Sequence, residues 1–220
     1  MMVRYIRGNR NSSKEELHMS TTVKNRETIQ KIVGTGVLMA LVIVLQVFAS
    51  GVRIGNLSLT FSLVPIVIGA VLYGPAVGAL LGGVFGIVVT VATVTGADAG
   101  AYMMFEKLPV LTVILCMVKG IAAGLVSGLI CKAFEKSGKE TLGIFLSAIA
   151  CPVTNTGIFC VCLLAFYRDI AVIWMGDAYA NVFIYVLLGI VGVNFLVELA
   201  INIILAPAIV RVIGAIRKQH

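Results

Sequence analysis

Charge is scarce in this sequence. Charged residues make up only 12% of the 220 residues, while hydrophobic residues make up 60%. An ordinary globular chain carries roughly 25% charged residues. So few polar side chains do not cover a water-soluble particle, and we therefore expect the chain to fold in a lipid bilayer.

Histidine is almost missing. The two histidines, His18 and His220, both lie outside the apolar stretches. This excludes a serine–histidine intramembrane protease and an HExxH zinc site. The sequence also has no GxxxxGK[ST] phosphate loop, so the chain does not itself drive transport by ATP hydrolysis. A catalytic site needs a constellation of titratable groups, and we predict no enzyme activity, no catalytic residue, no metal and no cofactor.

The cysteines do not form the pattern of a secreted disulfide framework. They are odd in number and lie inside apolar stretches. The five are Cys116, Cys131, Cys151, Cys160 and Cys162. Cys160 and Cys162 point to opposite sides of a helix, which makes them a poor metal clamp. We expect all five to fill space as small apolar side chains.

Successive apolar runs predict an all-α fold, a bundle of six transmembrane helices, because a crossing helix needs about 20 apolar residues. We predict spans at about 30–50, 59–73, 75–93, 109–131, 141–166 and 179–208. Tyr73, Gly74 and Pro75 form a tight turn between the second and third spans. The predicted organisation is a basic cytoplasmic tail at 1–29, a membrane domain at 30–213 and a second cytoplasmic tail at 214–220. We expect no cleaved signal peptide, because residues 1–31 contain no apolar core.

The basic residues indicate the orientation of the bundle. Thirteen of the 17 lie in the N-terminal tail, the 132–140 loop and the C-terminal tail. The positive-inside rule makes this face cytoplasmic, and an even number of spans places both termini there. We therefore predict a multi-pass protein of the cell membrane. The excess positive charge is explained by topology, and no nucleic-acid partner is expected.

The opposite face has three predicted connections, at 51–58, 94–108 and 167–178. The two long ones carry Tyr102 and Trp174. These aromatic residues suit a belt at the lipid interface, or a lid over an outward-facing site. The sequence leaves both interpretations open.

Polar side chains inside apolar spans are functional hypotheses by default. Lys119 in span four and Asn155 in span five each lie roughly 15 Å from the outer end of their span, at 1.5 Å per residue. Asn155 follows Pro152 and is flanked by Thr154 and Thr156. Because proline removes a backbone donor, we predict a distorted, polar segment at 152–157.

Span six carries Asn194, Glu198 and Asn202, which share one helix face at four-residue spacing. One interpretation is an ion pair between Lys119 and Glu198 that stabilises the bundle. The other is a polar ligand pocket between spans four, five and six, of which the ion pair would form the floor. Asn155 and Asn194 suit an outward cavity better by depth than Glu198 does.

Small residues form a second pattern. Gly78, Gly82 and Gly86 recur at four-residue steps in span three, and Gly36 and Ala40 have the same spacing in span one. Such strips let helix backbones approach closely. We expect the strip in span three to serve internal packing, while the one in span one suits contact with a separate membrane subunit.

Three segments carry a family resemblance. They are LSLTFSLVPIVIGAVLYGPAVGALLGGVFGIVV at 57–89, LCMVKGIAAGLVSGLI at 115–130 and CPVTNTGIF at 151–159. In order and spacing they resemble the substrate-binding S-components of energy-coupling factor (ECF) transporters, over about residues 30–213. The resemblance implies a six-helix S-component that binds a vitamin at its outer face. It also implies a transmembrane coupling subunit and two ABC-type ATPases as partners.

The resemblance also suggests roles for residues. The family's first helix usually carries an AxxxA pattern for the coupling subunit, and the nearest match is Gly36-xxx-Ala40, with glycine at the first position. Family ligands are held by the outer loops and spans four to six. This maps onto Tyr102, Lys119, Asn155, Trp174 and Asn194 here, with Thr154 and Glu198 as further candidates from the polar cluster.

The ligand is less defined than the family. Lys119 suits a carboxylate, and the asparagines suit amides or hydroxyls. Pantothenate is the first candidate, because the 151–159 segment resembles pantothenate-type members, and a folate-like compound is the second. Glu198 would instead suit a cationic ligand. The alternative function is a self-sufficient secondary transporter or channel, although the inverted repeats typical of such carriers are not evident.

Overall fold

The computed structural model describes residues 26, 28–48, 53–54, 57–58, 60–177, 179–186, 188–189 and 195–217. Internal contacts divide the chain into two units, Met1–Val37 and Leu38–His220. In chain order the elements are α1 (Thr28–Phe48), β1 (Arg53–Ile54), β2 (Leu57–Ser58), α2 (Leu63–Tyr73), α3 (Pro75–Val94), α4 (Ala99–Lys107), α5 (Pro109–Lys136), α6 (Glu140–Phe166), α7 (Arg168–Met175), α8 (Val182–Ile184) and α9 (Leu196–Arg217).

The all-α prediction is confirmed for the described elements, which are helical apart from one small hairpin. In that hairpin Arg53 pairs with Ser58 and Ile54 with Leu57, antiparallel. Four helices, α1, α3, α5 and α6, are long and apolar enough to cross a membrane. The α2 helix and the 196–207 part of α9 are apolar but shorter. Six crossings with both termini cytoplasmic remain a prediction.

Two predicted spans differ from the helices found. The second was expected from residue 59, but α2 begins at Leu63. The residue before it is Ser62, whose hydroxyl donates to the Val42 carbonyl at 3.2 Å and to Gln46 Oε1 at 2.9 Å, both on α1. Because this hydroxyl is bonded to α1, it does not cap the N-terminus of α2. The sixth was expected as one run over 179–208. The described part has a short α8, π-helical geometry at 185–186 and 188–189, and then α9.

The two long connections are not loops throughout. The 94–108 connection contains α4, whose first turn is capped by Asp98 accepting a hydrogen bond from the Ala101 N–H at 3.1 Å. The 167–178 connection contains α7. An N-terminal Asp satisfies backbone donors that a helix end leaves free, so a short helix is stable there.

Within the first unit, a threonine side chain of α1 is hydrogen-bonded to the backbone of its own helix. The hydroxyl of Thr35 donates to the Lys31 carbonyl at 2.7 Å.

Within the second unit, α3 and α5 make the most extensive helix–helix contact of the described residues. Glycines of the two helices lie opposite one another at this contact. A Cβ added at Gly78 or Gly82 would overlap the backbone of Gly124 or Gly120, respectively. A Cβ on Gly128 would lie 2.5 Å from Pro75 Cα. The expected internal packing of the span-three strip is therefore confirmed, with Gly124 and Gly120 of α5 opposite Gly78 and Gly82, and Cys116 and Met117 opposite Gly86.

Helices α5 and α6 are joined by a reciprocal pair of serines. Ser127 Oγ donates to the Ser147 carbonyl at 3.1 Å, and Ser147 Oγ donates to the Ser127 carbonyl at 2.7 Å. Both residues are fully buried. Each hydroxyl thus finds an acceptor on the opposite helix, which satisfies two polar groups inside an apolar seam.

Candidate functional site

A cavity lies in the second unit beside the N-terminal half of α5. It holds about 740 Å³ of empty space, including the part open to solvent. Residues from α1, α3, α4, α5, α6 and α9 line it, together with Thr60 from the segment before α2. Its charged lining residues are Asp98, Lys119 and Glu198. Three charged side chains in an otherwise apolar bundle make this the candidate site.

Lys119 reaches the cavity from the middle of α5, ten residues after Pro109. Its Nζ lies 5.4 Å from the ring centroid of Phe159 and 6.0 Å from that of Phe85. Both rings also line the cavity. The ring faces attract the ammonium group electrostatically, but they do not replace the hydrogen bonds that its three donors can make.

Asn155 lies on α6, and its side chain is 5% exposed. Its Oδ1 is buried and has no hydrogen-bond partner among the described residues. The segment 152–157 lies inside α6, which is assigned as one helix from Glu140 to Phe166 with Pro152 inside, and its distortion stays a prediction. Proline removes one backbone N–H and leaves the carbonyl four residues earlier without its helical donor. The turns on either side keep their helical geometry.

Glu198 is the most constrained acid of the site. Its side chain is 5% exposed, and Oε1 accepts a hydrogen bond from the Thr60 N–H at 3.1 Å. Its Oε2 has no partner within the described chain. One turn later, Asn202 Nδ2 donates to the Glu198 carbonyl at 2.9 Å. Two residues that line the cavity, Asn155 and Glu198, therefore each carry a buried oxygen without a donor among the described residues.

The expected ion pair between Lys119 and Glu198 does not form. The one salt bridge within 4.0 Å among the described residues joins Lys107 and Asp169. Lys119 stands over aromatic rings instead, and Glu198 is bound to the backbone of Thr60. The ion-pair interpretation is wrong in its geometry, and both charges remain available to the cavity they line.

Comparison with protein families gives one match. The model of the ECF transporter substrate-specific component matches residues 30–210. The chain belongs to this family. No curated protein and no solved structure gives a significant match. ECF substrate-specific components are membrane-embedded transporter subunits rather than enzymes, and they work in partnership with an ECF module.

The cavity of this ECF component contains some of the predicted residues and not others. Lys119, Asn155 and Glu198 line it together, each from the helix that was expected to carry it. Thr154 does not line it, and its neighbour Thr156 does. Asn194 lies outside the described residues. That these side chains bind substrate remains a prediction.

The two predicted aromatic residues lie near the cavity without lining it. Tyr102 is on α4 between the lining residues Ala101 and Met104. Its hydrogen bond to Glu106, together with the negative charge of that carboxylate, raises the pKa of Tyr102 above its ordinary value. Trp174 Nε1 donates to Met103 Sδ at 3.4 Å, which packs α7 against α4. Both residues thus belong to the layer of short helices next to the cavity.

Sequence reasoning missed several polar lining residues. Asp98 lies in the predicted 94–108 connection, and its position as the N-cap of α4 was not predicted. Gln46 and Thr60 were not singled out, although Gln46 is a rare polar residue in an apolar helix and is 5% exposed. The rarity of a polar residue in that helix is the signal that could have identified Gln46. No local signal identifies Thr60, because its backbone N–H binds a residue 138 positions away.

Proposed function

We propose that this ECF component captures a small water-soluble molecule, a vitamin or a vitamin precursor, for ATP-driven uptake. The observation that carries the proposal is the cavity with buried acceptors that lack partners, Asn155 Oδ1 and Glu198 Oε2, beside the ammonium group of Lys119. Leaving a buried polar atom unsatisfied costs about 1–3 kcal/mol. A polar ligand that supplies the missing donors would recover that free energy on binding.

The proposed topology is six crossings in the cell membrane with both termini in the cytoplasm. Four long apolar helices, the shorter α2 and the apolar part of α9 supply six candidates. The basic residues of both tails and of the 132–140 loop support a cytoplasmic location for those parts. The cavity is then near the outer face, since its lining residues Asp98 and Thr112 lie where α3 ends and α5 begins.

The energy would come from separate subunits. The sequence contains no phosphate-binding loop, so we propose a transmembrane coupling subunit and two ABC-type ATPases as partners. The proposed contact with the coupling subunit is Gly36 and Ala40, four residues apart on α1. Each is exposed, and a Cβ added at Gly36 would meet no atom within 4 Å. A close approach by another helix is therefore open there.

The proposed ligand is pantothenate, with a folate-like compound as the second candidate. Lys119 suits the carboxylate of either compound, and Asn155 and Glu198 suit hydroxyl or amide donors. The chemical match supports the proposal for small organic acids in general, and pantothenate is the member to test first.

The binding test uses the purified full-length chain in detergent without ATP. A panel of pantothenate, folate, biotin, riboflavin and thiamine is titrated by calorimetry or by thermal shift. We expect one of them, pantothenate first, to bind tightly and to raise the melting temperature as a native-state ligand does. If no compound binds, the proposed function is wrong. Ion-driven uptake of a vitamin into liposomes without any ATPase would favour the self-sufficient transporter instead.

The coupling contact has its own test. Gly36→Leu should leave vitamin binding unchanged and stop ATP-driven uptake when the complete transporter is reconstituted. The matched control is Gly157→Leu, a position on α6 where an added Cβ also meets no atom within 4 Å. Loss of binding in Gly36→Leu, or full uptake by it, would contradict the proposed contact.

A further inference from the structure

The two charges of the cavity do not meet. The Lys119 ammonium lies 5.4 Å from the Phe159 ring, one turn beyond Asn155. The Glu198 carboxylate is bound to the Thr60 N–H instead, and it lies more than 4.0 Å from the Lys119 ammonium, since no salt bridge joins them. The cavity therefore has a cationic end formed by Lys119 and a second end formed by Glu198.

The second end contains acceptors. Glu198 Oε2 and Asn155 Oδ1 are buried acceptors without a donor among the described residues, on side chains that are each 5% exposed. The other acid of the lining, Asp98, already accepts a hydrogen bond from the first turn of α4. The side chains at the Glu198 end thus need hydrogen atoms from a ligand, while Lys119 needs an acceptor.

We propose that the ligand is a small organic anion whose negative group binds Lys119 and whose opposite end donates hydrogen bonds, from hydroxyl, amide N–H or protonated amine groups, to Asn155 and Glu198. This inference rests on the proposed function and narrows its substrate class. A purely cationic compound would leave Lys119 unpaired and repelled. An anion without donors would bring negative charge towards Glu198 with nothing to bind it.

The test compares each acid of the panel with the same molecule lacking its negative charge: pantothenate with pantothenol, biotin with its amide, and folate with its diamide. We expect the charged form of the vitamin that binds to bind about 10- to 100-fold more tightly, because a hydrogen bond to a charged group is worth about 1.5–3 kcal/mol. In Lys119→Met this preference should disappear.

The Glu198→Gln variant should behave differently. It removes the charge and introduces an amide donor, so both members of the pair should lose affinity by a similar factor of about 10, while the preference for the acid stays. Such additivity is expected for groups that contact opposite ends of a ligand. Lys132→Met and Glu135→Gln, at exposed positions of α5, are the matched controls and should bind as the wild type does. Gel filtration establishes that every variant is folded.

Each outcome of these binding tests supports or contradicts the proposed ligand class. If a vitamin binds without preference for the acid, if Lys119→Met keeps the preference, or if only thiamine or riboflavin binds, the two-ended site is wrong and the proposed function stands. If no member of the panel binds, both are wrong.

Discussion

Helix α5 has two contrasting faces. Towards α3, Gly120, Gly124 and Gly128 allow backbone to touch backbone, and no side chain larger than hydrogen fits. Elsewhere on α5, Lys119 and Thr112 contribute polar side chains to the lining of the cavity. The glycine face is fully packed, whereas the cavity is also lined by Asn155 and Glu198, which carry buried oxygens without a donor among the described residues. One helix thus combines a rigid packing surface with one wall of the candidate site.

The largest expected effect is on the glycine face. In Gly82→Ala the new Cβ would overlap the carbonyl group of Gly120, so the helices must separate. Overpacking of this kind costs about 1–3 kcal/mol of unfolding free energy. The control is Gly83→Ala, where the nearest atom to the new Cβ is Ile121 Cγ1 at 3.7 Å. Denaturation in detergent should show a lower unfolding free energy for Gly82→Ala and not for Gly83→Ala. Equal stability of the two variants would contradict the close packing of the glycine face.

The opposite response is expected at the cavity. Asn155→Leu removes a buried acceptor that has no partner among the described residues, so the ligand-free protein should be as stable as the wild type or more stable. Vitamin binding should weaken at least about tenfold, since one ligand hydrogen bond is lost. Thr141→Leu, exposed on the same helix, should change neither property. A destabilised Asn155→Leu that binds normally would show that Asn155 serves packing.

The Ser127–Ser147 contact between α5 and α6 should also contribute to stability, but less than the glycine face does. Ser127→Ala deletes the bond from Ser127 Oγ to the Ser147 carbonyl. We expect a loss of about 1 kcal/mol in unfolding free energy with no change in ligand affinity. Ser137→Ala, which deletes an exposed bond to the Ala133 carbonyl, serves as the control. Weaker ligand binding by Ser127→Ala would mean that the Ser127–Ser147 contact and the cavity are coupled.

The smallest effect is expected at the exposed salt bridge between Lys107 and Asp169. The hydrogen bond from Lys107 holds the pKa of Asp169 below its ordinary value. A lowered native pKa stabilises the protein above the pKa of the unfolded state, and that contribution is lost as the pH falls through the native pKa. The difference in melting temperature between wild type and Asp169→Asn should therefore be small at pH 7, shrink in high salt and vanish in acid. A difference that grows on acidification would contradict this assignment.

Much of the helical scaffold was predictable from the sequence. The spans containing α1, α3, α5 and α6 follow from long apolar runs, and Pro75 and Pro109 mark two helix starts that the structure contains. The helix predictions agree with the structure because each depends on the length of one apolar run or on one residue type. The common depth of Lys119 and Asn155, counted at a fixed rise per residue, stays a prediction.

The remainder depends on contacts between distant parts of the chain. Pro152 suggested a break in regular structure, but it lies inside one helix. The opposite charges of Lys119 and Glu198 suggested an ion pair, but Glu198 is bound to the Thr60 N–H and Lys119 stands over aromatic rings. Thr60 meets Glu198 across 138 positions, and such a contact has no local signature. The sequence shows which residue types are present, but it does not give the distances between their side chains in the fold.

The bond between Thr60 and Glu198 has a consequence for biogenesis. Thr60 is synthesised early, and its partner lies on α9, which is synthesised later. Domains that depend on late segments stay incomplete until those segments arrive. A nascent chain that ends before α9 therefore lacks one wall of the cavity, and the cavity is complete only after α9 has been made.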